Sequence, residues 1–274
     1  MSRFFVTGAT GFIGSAVVRK LRRDGHEIVA PGSRELDLLS VTADELSDMV
    51  DRSGASHCIH CAWYTNHADY LVHDVNRQWL EASLRLARAC RNIRFVALGT
   101  CLEYDVSADK PCVENETPLA PQTLYARCKR GLFEALSGNS AWARVFFVYG
   151  PGDRAGRLIP KMLDTLAAGE HFGPSCGAVR RDYVHVDDLA GQIVRIAEST
   201  VRGAINTGTG EGPTLSEIVS AGGAALGRPE LVDTNDLQDG QSLMIVADLA
   251  RFRRDVGEPG ARNIAQGLAD LVAR

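Results

Sequence analysis

The sequence predicts an α/β fold, a doubly wound parallel sheet carrying a smaller C-terminal lobe. Three observations support this. The N-terminal apolar run Phe4–Val6 passes through spaced glycines into an amphipathic segment. Short apolar runs and stretches of helical periodicity then alternate as far as residue 150. After Gly152 that rhythm changes.

Phe4 to Val6 reads as a buried parallel strand. Ile13, Ala16, Val17 and Leu21 recur at helical spacing behind it. Between them stand Gly8, Gly11 and Gly14. Gly8 permits a tight turn, Gly11 lets a pyrophosphate approach the backbone, and Gly14 lets the helix pack on the strand. The helix start turns free N–H groups and a positive dipole end toward phosphate. The spacing is G-x-x-G-x-x-G rather than G-x-G-x-x-G, but strand before and helix after define a Rossmann-type dinucleotide turn. Gly8, Thr10, Gly11, Phe12, Ile13 and Gly14 are its candidate cofactor contacts.

The next strands are expected at His26–Ala30, His57–Ala62, Arg94–Leu98 (ending at Gly99-Thr100) and Ala143–Val148. Helices are expected at Val41–Asp51, Val75–Cys90 and Leu124–Leu136. Alternation of this kind gives right-handed crossovers. Further on, Ile159–Ala168, Asp187–Glu198 and Ile264–Val272 read as helices, and Asp182–Val186 and Ala204–Asn206 as short strands. Thr214, with Glu217 three residues later, marks another helix start. Residues 1–151 are thus expected to form the dinucleotide-binding domain. Residues 152–274 form a smaller substrate-binding lobe, with about 182–208 returning to the sheet.

The chain has 274 residues, 45% of them hydrophobic, enough for a substantial core. A net charge of −4 and a pI near 6.0 argue against a nucleic-acid partner. No apolar run reaches membrane-spanning length and the start does not read as a secretion signal, so the expected location is the cytoplasm. Seven irregularly spaced cysteines argue against a disulfide framework. Cys58 and Cys61 invite a zinc reading, but no second ligand pair stands at a suitable distance, and buried thiols are the better reading.

Tyr125 and Lys129 stand four residues apart, on one helix face. A nearby ammonium favours the phenolate, making Tyr125 an acid/base near neutral pH. Thr100 falls at the C-terminal end of a parallel strand, where open α/β sheets place ligands. Its hydroxyl is suited to holding a carbonyl oxygen beside the phenol.

These residues resemble the extended short-chain dehydrogenases/reductases, the NAD(P)-dependent sugar epimerase/dehydratase group. The resemblance rests on Thr7-Gly8-x-x-Gly11-x-x-Gly14, Thr100–Tyr104, Tyr125-x-x-x-Lys129, Arg144–Gly152, Arg181–Asp188 and Asn206-x-Gly208-x-Gly210. It implies that Tyr125 donates or accepts the proton. Lys129 would hold the nicotinamide ribose and lower the phenol pKa, and Thr100 would orient the substrate oxygen. It also implies a nucleotide-linked sugar substrate, with Arg181 as a diphosphate contact or else a salt-bridge partner of Asp182 or Asp187. Asp37-Leu38 resembles the adenine-contact pair, although Asp37 also suits a turn cap. Ala62 would line the pyrophosphate, and Val148 would approach the nicotinamide. Trp63 would stack on the sugar or fill the core, and Cys101 would lie on the substrate side. Relatives often dimerise through a four-helix bundle, so a homodimer through Val75–Cys90 and Leu124–Leu136 is implied.

Where NAD-preferring relatives place a carboxylate, this chain has Gly32, followed by Ser33 and Arg34. That favours NADP(H), with NAD(H) as the alternative. The 4,6-dehydratases carry Asp and Glu directly after the Thr, whereas Cys101 and Leu102 stand here. Glu103, one place on, is expected to face away by strand alternation. Dehydration is therefore disfavoured. Epimerisation by proton abstraction lacks a base, unless His185 or His67 serves. The expected activity is NADPH-dependent reduction of a nucleotide-linked 4-keto-6-deoxysugar. The alternatives are an NAD-dependent 4-epimerase and a non-enzymatic NADP sensor.

Overall fold

The computed structural model describes residues 1–107, 109–136, 138–174, 176–233 and 243–273. The first half runs β1 (Arg3–Thr7), α1 (Phe12–Arg23), β2 (Glu27–Val29), α2 (Ala43–Ser53), β3 (His57–His60), α3 (Val75–Ala89), β4 (Arg94–Thr100), α4 (Leu124–Ala135) and β5 (Ser140–Val145). The second half runs β6 (Phe147–Tyr149), α5 (Leu158–Ala167), β7 (Arg180–Arg181), β8 (Tyr183–His185), α6 (Val186–Glu198), β9 (Gly203–Thr207), α7 (Leu215–Ala225), β10 (Met244–Ile245), α8 (Ala250–Asp255) and α9 (Ile264–Val272).

The central sheet has the order β2-β1-β3-β4-β5-β9, and every pairing is parallel. Side chains alternate across it, as strand geometry requires. Phe4, Val6, Val96 and Leu98 pack against α1 and α6, while Phe5, Cys58, Phe95 and Ala97 pack against α2, α3 and α4. Cys58 is one of these core residues, consistent with a thiol used as a small hydrophobe. The strands are apolar on both faces because helices cover both faces.

Two departures from the sequence reading have local causes. The apolar run expected as one strand over 143–148 breaks at Phe146. β5 pairs with β9 up to Val145, and β6 then leaves the sheet to pair with β8. The N–H of Phe147 donates to the Asp182 carbonyl at 3.0 Å, fixing the change of partner. Of the segment at 182–208, only β9 joins the central sheet. α6 covers one of its faces, and β8 stands off it beside β6.

A separate core of Tyr149, Ile159, Met162, Leu166, Ile218, Val219 and Leu268 joins α5, α7 and α9. The start of α7 is fixed as the sequence indicates: Thr214 and Glu217 form a reciprocal capping box. Glycine spacing at the third signature serves the backbone. A Cβ at Gly208 would lie 2.6 Å from the carboxylate of Asp182. That carboxylate accepts the N–H groups of Thr209 and Gly210 at 2.8 and 3.0 Å.

Candidate cofactor and active site

The turn after β1 is built so that backbone, not side chain, faces the cleft. Gly8 has φ +67°, and a Cβ there would lie 2.6 Å from the Ala62 nitrogen. A Cβ at Gly14 would lie 2.0 Å from the Gly8 carbonyl oxygen. α1 begins at Gly11 with no side-chain cap and no acidic residue in its first turn. Its first N–H groups are left for an external acceptor.

These groups open on a cavity of about 580 Å³. Thr10, Gly11, Phe12, Ile13 and Gly14 form one wall, and Ser33, Asp37, Leu38 and Ala62 form others. Asp37 also caps its own turn, accepting from the Leu39 N–H at 3.0 Å and the Ser40 hydroxyl at 2.8 Å. Arg34 is exposed and lies off the wall. The N–H of Gly32 at the end of β2 donates to the Glu35 carboxylate at 3.0 Å.

A second cavity of about 180 Å³ shares Phe12, Ile13, Cys61, Trp63 and Arg157 with the first. It brings together Thr100, Cys101, Tyr125, Lys129 and Val148, supplied by β4 and the 3₁₀ turn after it, α4 and β6. The Lys129 ammonium donates to the Leu98 carbonyl at 2.9 Å and lies 3.8 Å from the centre of a Trp63 ring. Trp63 is buried with its indole N–H anchored on Asn76 at 2.8 Å, and it also lines the wall.

Burial raises the Tyr125 phenol above its ordinary range, reinforced by Tyr70, Glu103 and Cys101, while a hydrogen bond with Thr100 acts in the opposite sense. The lowering expected from Lys129 is therefore not seen: closing the ring into this wall disfavours the phenolate. Tyr125 is thereby held toward the neutral phenol. Burial likewise pushes Lys129 down to about 7, opposed by Glu103 and Cys61.

Arg181 does not reach either cavity. Its guanidinium donates to the Arg180 and Leu243 carbonyls, each at 2.9 Å, and lies over Phe147. Asp187 pairs with Arg19 at 2.8 Å instead. His185 is fully buried and caps α6 through the Asp187 N–H, away from the cavities. His67 lines the larger cavity only. Arg154 and Arg157, which sequence reasoning passed over, stand on the cavity wall after the Tyr149-Gly150-Pro151-Gly152 turn. Two arginines that close after a glycine-rich strand end were the available signal.

Glu103 is turned away from the cavity, as expected, but by a helical turn rather than by strand alternation. Residues Cys101–Glu103 form a single 3₁₀ turn capped by Thr100. Among the described residues, no carboxylate lines the smaller cavity.

The uncapped helix start, the close Gly8–Ala62 approach and the elongated double cavity fit a nicotinamide dinucleotide. The NAD dependent epimerase/dehydratase family matches residues 4–208, and the chain belongs to it. It is an NAD(P)-dependent oxidoreductase enzyme. Its relatives include the dTDP-4-dehydro-6-deoxy-D-allose reductase of Streptomyces bikiniensis, 28% identical over 270 residues, which cover 83% of this chain and 82% of that protein. The UDP-glucose 4-epimerase of Mycolicibacterium smegmatis is 27% identical over 98% of this chain and 97% of its own length. MoeE5, solved with UDP-glucose and NAD, superposes with a TM-score of 0.78 at 25% identity, covering 99% of this chain and 97% of that one.

Proposed function

We propose that the protein is an NADPH-dependent reductase of a nucleotide-linked 4-keto-6-deoxysugar. The observation that carries this is the equipment of the smaller cavity. A neutral phenol, a hydroxyl and a buried ammonium line it, and among the described residues no carboxylate is placed to remove a carbon-bound proton. That set suffices for carbonyl reduction and not for elimination. The likeness to the reductase from Streptomyces bikiniensis supports the same reading.

Gly8, Thr10, Gly11, Phe12, Ile13 and Gly14 hold the pyrophosphate side of the dinucleotide. Asp37 and Leu38 hold the adenine end, and Ala62 and Val148 the remaining walls. A reduced nicotinamide held by these residues would supply the hydride for the keto carbon. Tyr125 gives its proton to the oxygen, which becomes an alcohol. The Thr100 hydroxyl donates a hydrogen bond to that oxygen and fixes it beside the phenol. Lys129 holds the ribose side and supplies positive charge next to Tyr125 as negative charge develops. Trp63 and Cys101 shape the sugar site. We favour NADPH because the residue at the end of β2 is Gly32 rather than an acidic one and the cationic Arg34 flanks the wall residue Ser33, although the Glu35 carboxylate on the Gly32 N–H works against it. Residues from 152 onward, built on α5, α7 and α9, form the substrate-binding lobe. Arg157 replaces Arg181 as the cation facing the substrate diphosphate.

The competing reading, an NAD-dependent 4-epimerase, is favoured by the full-length likeness to the mycobacterial enzyme. We further infer a cytoplasmic homodimer through α3 and α4, where Leu80, Leu84 and Phe133 are only partly covered. Among the described residues, no helix is long and apolar enough to cross a membrane. Tyr125→Phe tests the chemistry: reduction of a verified 4-keto-6-deoxysugar nucleotide should fall by about 100-fold or more with NADPH affinity retained. Wild-type turnover in that variant would overturn the mechanism.

A further inference from the structure

Behind the cavity wall lies a polar cluster that the mechanism above does not use. The Glu103 carboxylate is fully buried. It accepts the Thr100 N–H at 2.9 Å, the Arg144 Nε–H at 2.9 Å, and the Trp142 indole N–H across both oxygens at 3.1 and 3.2 Å. Every partner is a donor, so the group is matched as a carboxylate. Arg144 also donates to the Tyr104 hydroxyl at 3.0 Å, and Tyr104 in turn donates to Asn206 at 2.8 Å. The space is made by Gly99, where a Cβ would lie 2.2 Å from the Trp142 indole nitrogen and 2.8 Å from a Glu103 oxygen.

The end of β4 is therefore gripped from two sides. Lys129 donates to the carbonyl of Leu98, and Glu103 accepts the N–H of Thr100, two residues along. Thr100 also caps the 3₁₀ turn that carries Glu103.

We propose that Glu103 is a positioning residue for the reduction: it fixes Thr100 at the cavity wall through the Thr100 N–H and supplies the counter-charge for the Lys129 ammonium. Lys129 is enclosed by Trp63 and Cys61 after β3, by Tyr125 on its own helix, and by the strand end. Of the groups around it, Tyr125 is a neutral phenol, His60 on β3 is neutral, and the Cys61 thiol is held up by burial. Glu103 is the carboxylate among these neighbours; burial raises it, and its ion pair with Arg144 at 2.9 Å and its donor hydrogen bonds act the other way. Without it, desolvation of the ammonium loses its larger opposing influence.

This proposal rests on the reductase reading for its kinetic consequence, but its electrostatic half needs no substrate. Lys129 is one of four lysines, with Lys20, Lys110 and Lys161. Labelling lysine Cε with carbon-13 gives four resonances whose pH titrations are separable. In Glu103→Gln, the Lys129 midpoint should fall by about one pH unit while the other three stay put. With sugar nucleotide and NADPH, the limb on which kcat declines as pH rises should move down by the same amount, with KM nearly unchanged. An unmoved Lys129 midpoint in a folded Glu103→Gln protein overturns the proposal, whether or not a ketosugar is reduced. An unmoved kcat limb alongside a shifted midpoint overturns the catalytic half alone. Should Glu103→Gln fail to fold, Glu103→Gln/Arg144→Gln removes the pair without leaving a buried net charge, and a Lys129 midpoint below wild type, by less than in the single variant because the Arg144 charge is lost too, is required of it.

Discussion

Replacing Gly14 by alanine perturbs the dinucleotide turn by one methyl group. That methyl would be placed 2.0 Å from the Gly8 carbonyl oxygen, with the Gly8 carbonyl carbon at 2.7 Å and the Ala9 Cα at 3.2 Å. All three neighbours are backbone, so no side chain can rotate aside. Ordinary contact requires α1 and the turn to separate by about 1 Å, and over-packing of this kind costs about 1–3 kcal/mol. Gly8 is constrained as well: its φ of +67° and its approach to Ala62 leave little freedom to retreat. The helix must therefore move, and its N–H groups move off the phosphate position with it. About 2 kcal/mol corresponds to a Tm loss of about 4–8 °C for a chain of this size. The dinucleotide Kd should rise by about tenfold or more, as about 1.4 kcal/mol of lost contact implies. Calorimetry and fluorescence titration with NADPH read the two quantities separately. A Gly14→Ala protein with wild-type Tm and wild-type dinucleotide affinity would refute the close-packing account of the turn.

Three further outcomes follow from particular contacts. Removing the cation in Arg34→Ala should weaken NADPH about tenfold and leave NADH unchanged, whereas Glu35→Gln should tighten NADPH by taking a carboxylate from the Gly32 N–H; equilibrium titrations with both cofactors check this. His60 is buried between the Thr7 and Ser83 hydroxyls at 2.7 and 2.8 Å, and burial lowers it to about 3. Its folded-state value lies below its unfolded one, so its contribution is complete above pH about 6.5 and is lost as pH falls toward 3. The drop is worth about 4–5 kcal/mol across that window, and His60→Gln should flatten the acid limb of stability measured by urea unfolding at several pH values. Arg157→Ala should raise KM for the sugar nucleotide about tenfold with kcat nearly unchanged, while Arg181→Ala should leave KM alone; steady-state kinetics distinguish them.

The parts legible in the sequence are those fixed by local rules. The glycine turn is readable because only glycine tolerates the Gly8–Ala62 and Gly14–Gly8 approaches. Tyr125 and Lys129 are readable because helical spacing alone puts them on one face. Thr100 is readable because a parallel strand must end at the ligand side. The parts that were not legible depend on distant partners. The break at Phe146 leaves no mark in an unbroken apolar run, since it is caused by the Asp182 carbonyl 36 residues away in sequence, bound by the Phe147 N–H with an offset of 35. Arg181 and Arg157 are both arginines in loop-like context, and only the fold decides that the first covers backbone carbonyls while the second faces the cavity. The high phenol of Tyr125 reflects enclosure by Tyr70 and Cys101, which motif spacing cannot convey.

The central claim is net reduction by exchangeable NADPH. Its most direct test begins with the nucleotide content of freshly purified protein, followed by mixing with NADPH and a nucleotide-linked 4-keto-6-deoxysugar. The account predicts protein that arrives without tightly held NAD, binds NADPH more tightly than NADH, and consumes one NADPH per alcohol formed. Bound NAD that survives purification, with interconversion of C4 epimers and no net loss of reduced cofactor, would contradict it and identify an epimerase.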